Sequence, residues 1–228
     1  MRAAVIAWRL LGAAAAFAAV FVQLASTLTY WTANEARDLG VSAVNFFSFF
    51  TIQSNLIAAV MLTVGAILLL RSVGTDPRWF AWWRASAATY LATTGIIYNT
   101  LLRGIELPQG LTVVWSNEVL HVVMPLILVV DWLAAPGRRR LRWGVLGVIL
   151  AYPLLWAVYT MVRAPFVFSD AMQRYGWYPY PFLDPANGGL ASVAVFIALI
   201  SGAIAAVGAG VIAVSRMQPR RGRLTRVA

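Results

Sequence analysis

The sequence predicts an all-α, polytopic membrane protein built as a bundle of six transmembrane helices. Hydrophobic residues make up 61% of the 228 residues and charged residues only 11%, whereas soluble domains are about half apolar and about a quarter charged. Six stretches are apolar over about the 20 residues that a helix needs to cross a bilayer. Arginines, which are all 18 basic residues, cluster at the ends of these stretches, where basic residues set membrane topology.

The six predicted spans are joined by short connections, so residues 1–215 are predicted to form a single transmembrane domain. Arg2 and Arg9 precede the Ala-rich run of the first span, and this apolar run is longer than the core of a signal peptide, which predicts an uncleaved helix. Residues 216–228 form a basic tail. In chain order the spans are about Trp8–Leu28, Phe46–Leu70, Trp82–Leu102, Asn117–Leu133, Trp143–Val162 and Gly189–Val214.

The distribution of arginines predicts the orientation of the bundle. Arg37, Arg103, Arg163 and Arg174 belong to one side, and the other 14 arginines belong to the side that contains both termini. By the positive-inside rule both termini and the basic tail are cytoplasmic, in a multi-pass protein of the cell membrane. The net charge of +10 therefore indicates contact with anionic lipid headgroups on the cytoplasmic face rather than nucleic-acid binding.

The residue types present exclude several kinds of site. The chain has no cysteine and one histidine, His121. Disulfides, thiolate ligands, cysteine nucleophiles and sites that need several histidines are therefore excluded within one chain. We predict no metal and no cofactor.

Polar residues of the second and fourth spans are predicted to meet in the outer part of the bilayer. With Asn45 and Ser116 as helix caps, Thr51 lies roughly 9 Å deep and His121 roughly 7–8 Å deep, from the rise per residue of an α-helix. The matching depths predict one polar pocket that faces outward. Other polar residues of the same level complete the predicted pocket: Gln53, Asn55, Tyr98, Asn99, Arg103, Asn117 and Glu118.

Each of these residues also has a structural interpretation. A threonine in a membrane helix commonly bonds to the carbonyl four residues earlier, and Gln53 and Asn55 can bond neighbouring helices. An ionisable residue such as His121 indicates function by default. Glu118, three residues before it, is predicted to orient the imidazole, although a carboxylate near a helix start is also favoured by the helix dipole.

The inner halves of the spans are predicted to carry fewer polar residues than the outer halves. Asp131, at the inner end of the fourth span and beside the run Arg138–Arg140, is predicted to form an ion pair at the membrane interface. Prolines 179, 181 and 185 predict an extended last outer loop. Its residues Tyr178 and Tyr180 are predicted to form a lid at the headgroup level, or alternatively an aromatic interface anchor.

Three stretches resemble a bacterial six-span family that is distantly similar to the androgen-induced, ADTRP-like membrane hydrolases. They are NEVLHVVMPLILVVD at Asn117–Asp131, FFTIQSN around Thr51 and WYPYPFLD at Trp177–Asp184. The resemblance implies threonine hydrolases that cleave fatty acid esters of hydroxy fatty acids, with the nucleophile at Thr51 and the histidine at His121. Glu118 is a departure, because the relatives tend to have a second histidine there.

The residues and the resemblance together predict an intramembrane hydrolase of fatty acyl esters, with a membrane lipid or lipid ester as its partner. Thr51 is the predicted nucleophile and His121 the general base, while Asn55 or Asn99 would donate hydrogen bonds to the oxyanion. Two alternatives remain open. One is a small proton-coupled transporter in which His121 and Glu118 titrate; the other is a non-catalytic lipid-binding protein. Transport would require polar residues on both sides of the membrane.

Overall fold

A computed structural model describes residues 2–71, 74–105 and 112–217 of the chain, which are almost wholly helical. The eight α-helices of the described residues are α1 Arg2–Ala33, α2 Leu39–Ser48, α3 Phe50–Arg71, α4 Arg78–Ile97, α5 Val114–Glu118, α6 Met124–Ala134, α7 Val145–Arg163 and α8 Gly189–Arg216. A π-helical turn at Tyr98–Leu102 continues α4, and another at Val119–Val123 joins α5 to α6. Most of the predicted basic tail, residues 218–228, lies outside the described residues.

Five helical segments are long and apolar enough to cross a membrane, which confirms the prediction of an all-α membrane protein. The third predicted span is also helical, as α4 and its π-helical turn, but it is not one of the five. Its N-terminal half is less apolar because it carries Arg78 and Arg84. The terms inner and outer name the two ends of the bundle by the orientation that the arginine distribution predicts. The five segments are Arg2–Ala33, Phe50–Arg71, Val114–Ala134, Val145–Phe166 and Gly189–Arg216.

The second predicted span is two helices, because the chain is extended at Phe49 (φ −66°, ψ 129°) between α2 and α3. The break frees carbonyl groups at the end of α2, and side chains satisfy them. Trp156 Nε1 donates to the Ser48 carbonyl oxygen at 2.9 Å, and Gln53 Nε2 donates to that of Phe47 at 2.7 Å. As a result α3 has its own N-terminus inside the bundle, and Thr51 is its second residue.

Small residues allow the central helices to pack closely. Ala16 of α1 and Ala58 and Ala59 of α3 are completely buried, and such residues let helix backbones approach each other in membranes. At Gly95 of α4 an added Cβ would lie 2.9 Å from Pro125. This close approach brings the outer end of α4 against the π-helical turn that precedes α6.

A buried cluster of four charges occupies the inner end of the bundle. Asp131 binds Arg9 at 2.7 Å and Arg84 at 2.8 Å, and Arg84 also binds Asp76 at 2.9 Å. Asp131 therefore forms an ion pair as predicted, but with Arg9 and Arg84 of other helices and inside the bundle, so the inner halves carry more polar groups than expected. Because two carboxylates neutralise two guanidinium groups, these charges can be buried together.

The outer connection between α7 and α8 folds into the bundle. Strands β1 (Phe168–Ser169) and β2 (Arg174–Tyr175) pair antiparallel, with Phe168 opposite Tyr175 and Ser169 opposite Arg174. Short 3₁₀ turns follow at Pro181–Leu183 and Pro185–Asn187. Tyr180, between the strands and these turns, is buried. Its ring packs among the helices, in keeping with the predicted pocket role of Tyr180, and the lid at the headgroup level stays a prediction.

Candidate functional site

Thr51 and His121 lie next to each other at the outer end of the bundle. Thr51 Oγ1 is 3.2 Å from His121 Nε2, inside the distance of about 4 Å expected of a nucleophile and its base. Thr51 lies at the start of α3 and is buried, so it faces the interior rather than lipid. His121 belongs to the π-helical turn Val119–Val123. The structure therefore brings together the two residues predicted to meet.

The second ring nitrogen defines the tautomer of His121. Its Nδ1 is 2.9 Å from the backbone carbonyl oxygen of Asn117. A carbonyl oxygen only accepts hydrogen bonds, so Nδ1 carries the proton and Nε2 keeps its lone pair. The hydroxyl of Thr51 can then donate to Nε2, which is the arrangement that a general base requires.

Glu118 does not orient the imidazole, contrary to the prediction. Its carboxylate binds Arg103 through two hydrogen bonds of 2.7 and 3.1 Å. The prediction assumed α-helical spacing, in which residues three apart share a face. In the wider π-helical turn that starts at Val119, the backbone of Asn117, four residues before His121, lies at the ring nitrogen instead.

Tyr98 holds the imidazole from the other side. The rings of Tyr98 and His121 stack with centroids 3.9 Å apart and planes inclined by 23°, and Asn117 Nδ2 donates to the Tyr98 hydroxyl at 2.5 Å. Arg103 lies over the outer face of the Tyr98 ring at 5.0 Å. Tyr98 belongs to the other π-helical turn, so both π turns bring their aromatic rings to the site, as such turns frequently do at functional sites.

The two asparagines predicted to stabilise an oxyanion have other partners. Asn55 Nδ2 donates to the carbonyl oxygens of Thr51 at 2.9 Å and Leu120 at 3.1 Å. Asn99 Nδ2 donates to those of Gly95 at 2.7 Å and His121 at 3.4 Å. Both amides are therefore used to satisfy backbone groups near the breaks in helix geometry, and neither provides a free donor at Thr51.

Gln53 does not line the pocket either. Its amide nitrogen binds the Phe47 carbonyl, and its amide oxygen accepts a hydrogen bond from the Tyr152 hydroxyl. Gln53 thus joins the end of α2 to α7. The polar run that follows the phenylalanines at 46–50 supplies one residue to the site, Thr51, and otherwise stabilises the break at Phe49.

Tyr180 contacts the site more closely than the sequence predicted. Its hydroxyl oxygen is 3.3 Å from Thr51 Oγ1 and accepts a hydrogen bond of 3.3 Å from the Thr51 backbone N–H. Phe49 packs edge-on against its ring and Phe182 stacks on it. Burial raises the pKa of Tyr180 above its ordinary value. The hydroxyl therefore stays protonated and can donate a hydrogen bond. The signal in the sequence is the aromatic segment WYPYPFLD.

Two cavities meet at Thr51. An apolar cavity of about 80 Å³, counted as space open to the centre of a water molecule, lies between α4, α7 and α8. A more polar cavity of about 230 Å³ by the same measure lies beside α1 and α5. Five residues line both cavities: Thr51, Tyr98, Leu102, His121 and Tyr180.

Within the described residues, no group of three or more histidine, aspartate or glutamate side chains could hold a metal ion. The chain matches no protein-family model, no curated protein and no solved structure. The function of the protein must therefore be inferred from the geometry of the site.

Proposed function

We propose that this protein is a multi-pass hydrolase of the cell membrane that cleaves fatty acyl esters with Thr51 as nucleophile and His121 as general base. The observation that carries the proposal is the 3.2 Å contact between Thr51 Oγ1 and His121 Nε2. A threonine hydroxyl is a weak nucleophile that needs such a positioned base. The Asn117 carbonyl oxygen supports this role of His121, because it binds Nδ1 on the other side of the ring and so fixes the tautomer.

The reaction has two halves. Thr51 Oγ1 attacks the ester carbonyl carbon while its proton passes to His121 Nε2, and the tetrahedral intermediate then expels the alcohol oxygen, which takes that proton. This leaves an acyl-threonine. A water molecule gives a proton to His121 and attacks the acyl carbon. Collapse releases the fatty acid, and Thr51 Oγ1 recovers its proton from His121.

Two groups near Thr51 can stabilise the oxyanion. The Tyr180 hydroxyl retains its proton as a donor. The Thr51 backbone N–H lies in the first turn of α3 and donates to the Tyr180 oxygen in the free site, so it would exchange that partner for the oxyanion. Helix N-termini favour negative charge, and prearranged donors at a developing oxyanion are usually the largest single contribution to such catalysis. The break at Phe49 is what places this helix start beside the nucleophile.

The proposal includes six spans with both termini in the cytoplasm. Besides the five long apolar helices, the proposal counts α4 with its π-helical turn as a span. Its buried Arg84 is neutralised by Asp76 and Asp131. This pairing lowers the cost of placing α4 in a membrane. The arginine distribution then puts Thr51 and His121 near the outer leaflet.

A proton-coupled transporter is the principal alternative, and the buried charges at the inner end supply the inner polar residues that it requires. However, these charges are paired with each other. An apolar layer that includes Leu62, Leu91, Met124 and Leu128, all at most 1% exposed, lies in the core of the described residues. A paired cluster and an apolar layer favour a one-sided site over a transport path.

Labelling with a fluorophosphonate probe tests the proposal. We expect the purified protein to be labelled at Thr51, with labelling abolished by Thr51→Val or His121→Ala and retained in part by Thr51→Ser. Thr63→Ala is the control, because Thr63 lies deeper on the same helix and bonds only to the Ala59 carbonyl. Labelling that persists in Thr51→Val, or folded protein that is neither labelled nor able to cleave any acyl ester, would refute the hydrolase and favour a lipid-binding protein.

A further inference from the structure

The two cavities at Thr51 define the chemical class of the ester, given the proposed hydrolase. Because Thr51, Tyr98, His121 and Tyr180 line both cavities, an ester carbonyl at Thr51 Oγ1 would have one side of the molecule in each cavity. The walls of the cavities differ in polarity. Their chemistry therefore indicates which part of the ester each one holds.

The apolar cavity fits a hydrocarbon chain. Aliphatic and aromatic side chains form most of its wall, and α7 and α8 contribute Trp156, Ala157, Ile197, Ile200 and Ile204. Its polar residues away from Thr51 and His121 are Thr93, Thr94 and Ser201. Each CH₂ group of a chain would make packing contacts with such a wall, so the space available there limits chain length.

The proline of α7, Pro153, does not leave an unbound backbone carbonyl in the wall of the apolar cavity. Pro153 cannot donate a hydrogen bond to the carbonyl of Ile149. The Tyr90 hydroxyl donates to that carbonyl instead, at 2.8 Å. The proline therefore shapes the helix beside the cavity without adding a polar group to it.

The polar cavity fits an uncharged group with hydrogen-bonding atoms. Gln23, Thr112 and Asn117 line it, whereas no arginine, aspartate or glutamate lines either cavity among the described residues. The nearby guanidinium of Arg103 is bound by Glu118 through two hydrogen bonds. A phosphate or carboxylate in this cavity would lose water without gaining a cation, which is costly.

We propose that the substrate is an uncharged ester whose long acyl chain lies in the apolar cavity and whose alcohol portion, bearing neutral hydroxyl or similar groups, lies in the polar cavity. This substrate differs from the one implied by the family resemblance. An ester of a hydroxy fatty acid carries a carboxylate on its alcohol side, and no described residue of the polar cavity would neutralise it.

The acyl-chain assignment is tested by filling the apolar cavity. Ala157→Phe adds a ring to its wall, and Ala151→Phe makes the same change on an exposed face of the same helix. With nitrophenyl esters of increasing chain length, we expect Ala157→Phe to lower the ratio of long-chain to short-chain kcat/KM at least tenfold. Ala151→Phe should keep the wild-type ratio. An unchanged ratio in Ala157→Phe would overturn the assignment.

The alcohol assignment is tested with three esters of one acyl chain: a monoacylglycerol, a phospholipid with an anionic headgroup and an ester of a hydroxy fatty acid. We expect kcat/KM for the monoacylglycerol to exceed both of the others at least tenfold. Equal or faster cleavage of either anionic ester would overturn the proposal for this cavity.

Failure of the hydrolase proposal can be distinguished from failure of the substrate proposal. If the protein is not a hydrolase, no ester would be cleaved and Thr51 would not be labelled by the fluorophosphonate probe. The apolar cavity would still be tested by the thermal stabilisation that a long-chain alkyl trifluoromethyl ketone confers. Stabilisation that is lost in Ala157→Phe and retained in Ala151→Phe supports the chain site without catalysis, and equal stabilisation of both variants contradicts it.

Discussion

At the scale of single residues, Tyr180 completes a site that the two asparagines cannot complete. Its hydroxyl contacts both Oγ1, the proposed nucleophile, and the backbone N–H of Thr51. The amide groups of Asn55 and Asn99 are bound to backbone carbonyls. A buried phenol that retains its proton is a suitable donor to an oxyanion, because it adds no charge to an apolar environment.

We therefore expect Tyr180→Phe to lower kcat for ester cleavage by about 10²–10³-fold, the typical effect of removing one oxyanion donor, with a much smaller change in KM. The phenylalanine ring preserves the packing against Phe49 and Phe182. Tyr175→Phe, on an exposed strand residue, is the matched control. Steady-state kinetics on both variants measure the effect, and a kcat within twofold of the wild type in Tyr180→Phe would remove Tyr180 from the mechanism.

At the scale of helices, the site depends on three departures from regular α-helix. The break at Phe49 gives Thr51 a position in the first turn of α3. The π-helical turns at Tyr98–Leu102 and Val119–Val123 bring Tyr98 onto His121. A wider turn leaves backbone groups without their usual partners. Asn55 and Asn99 compensate, because each donates to carbonyls of these segments or their neighbours.

The break at Phe49 can be tested through Trp156, which donates its indole N–H to the Ser48 carbonyl at 2.9 Å. Trp156→Phe leaves this carbonyl without its partner, which costs about 1–3 kcal/mol for a buried group. We expect a lower Tm in detergent together with weaker probe labelling of Thr51. Trp79→Phe, at an exposed tryptophan, should change neither quantity. An unaltered Tm in Trp156→Phe would show that the break does not depend on this bond.

These departures also explain which predictions from sequence succeeded. Apolar periodicity located the helices, and depth matching brought Thr51 and His121 together even though the assumed caps are wrong: Asn45 lies within α2 and Ser116 within α5. The helix that carries Thr51 starts later than assumed, at Phe50, and the helix that leads to His121 starts earlier, at Val114. Thr51 and His121 still meet, because each remains within about two turns of an entry to the bundle from the same end. Glu118 was misassigned because a π-helical turn has no signature in hydrophobicity. The position of Tyr180 depends on tertiary packing of a loop, which local patterns do not encode.

At the scale of the whole molecule, polarity is divided between two ends of the bundle. The outer end holds the Thr51–His121 site and its cavities, and the inner end holds the paired charges of Arg9, Arg84 and Asp131. These charges join α1, α4 and α6, and removing one partner of such a buried pair typically costs about 3–5 kcal/mol. The inner cluster thus fixes the helices whose outer ends carry the site.

The proposed six-span topology requires α4 to cross the membrane, although α4 is less apolar than the five long helices. The chain has no cysteine, so single cysteines at exposed Thr75 and Thr112, on either side of α4, report its topology. In intact cells we expect a membrane-impermeant maleimide to label Thr112→Cys but not Thr75→Cys, which should react only after permeabilisation. Met172→Cys, in the loop beside Tyr180, should label like Thr112→Cys. If Thr75→Cys and Thr112→Cys react from the same side, α4 does not span the membrane. Arg84 would then lie outside the bilayer, and the matched depths of Thr51 and His121 would lose their basis.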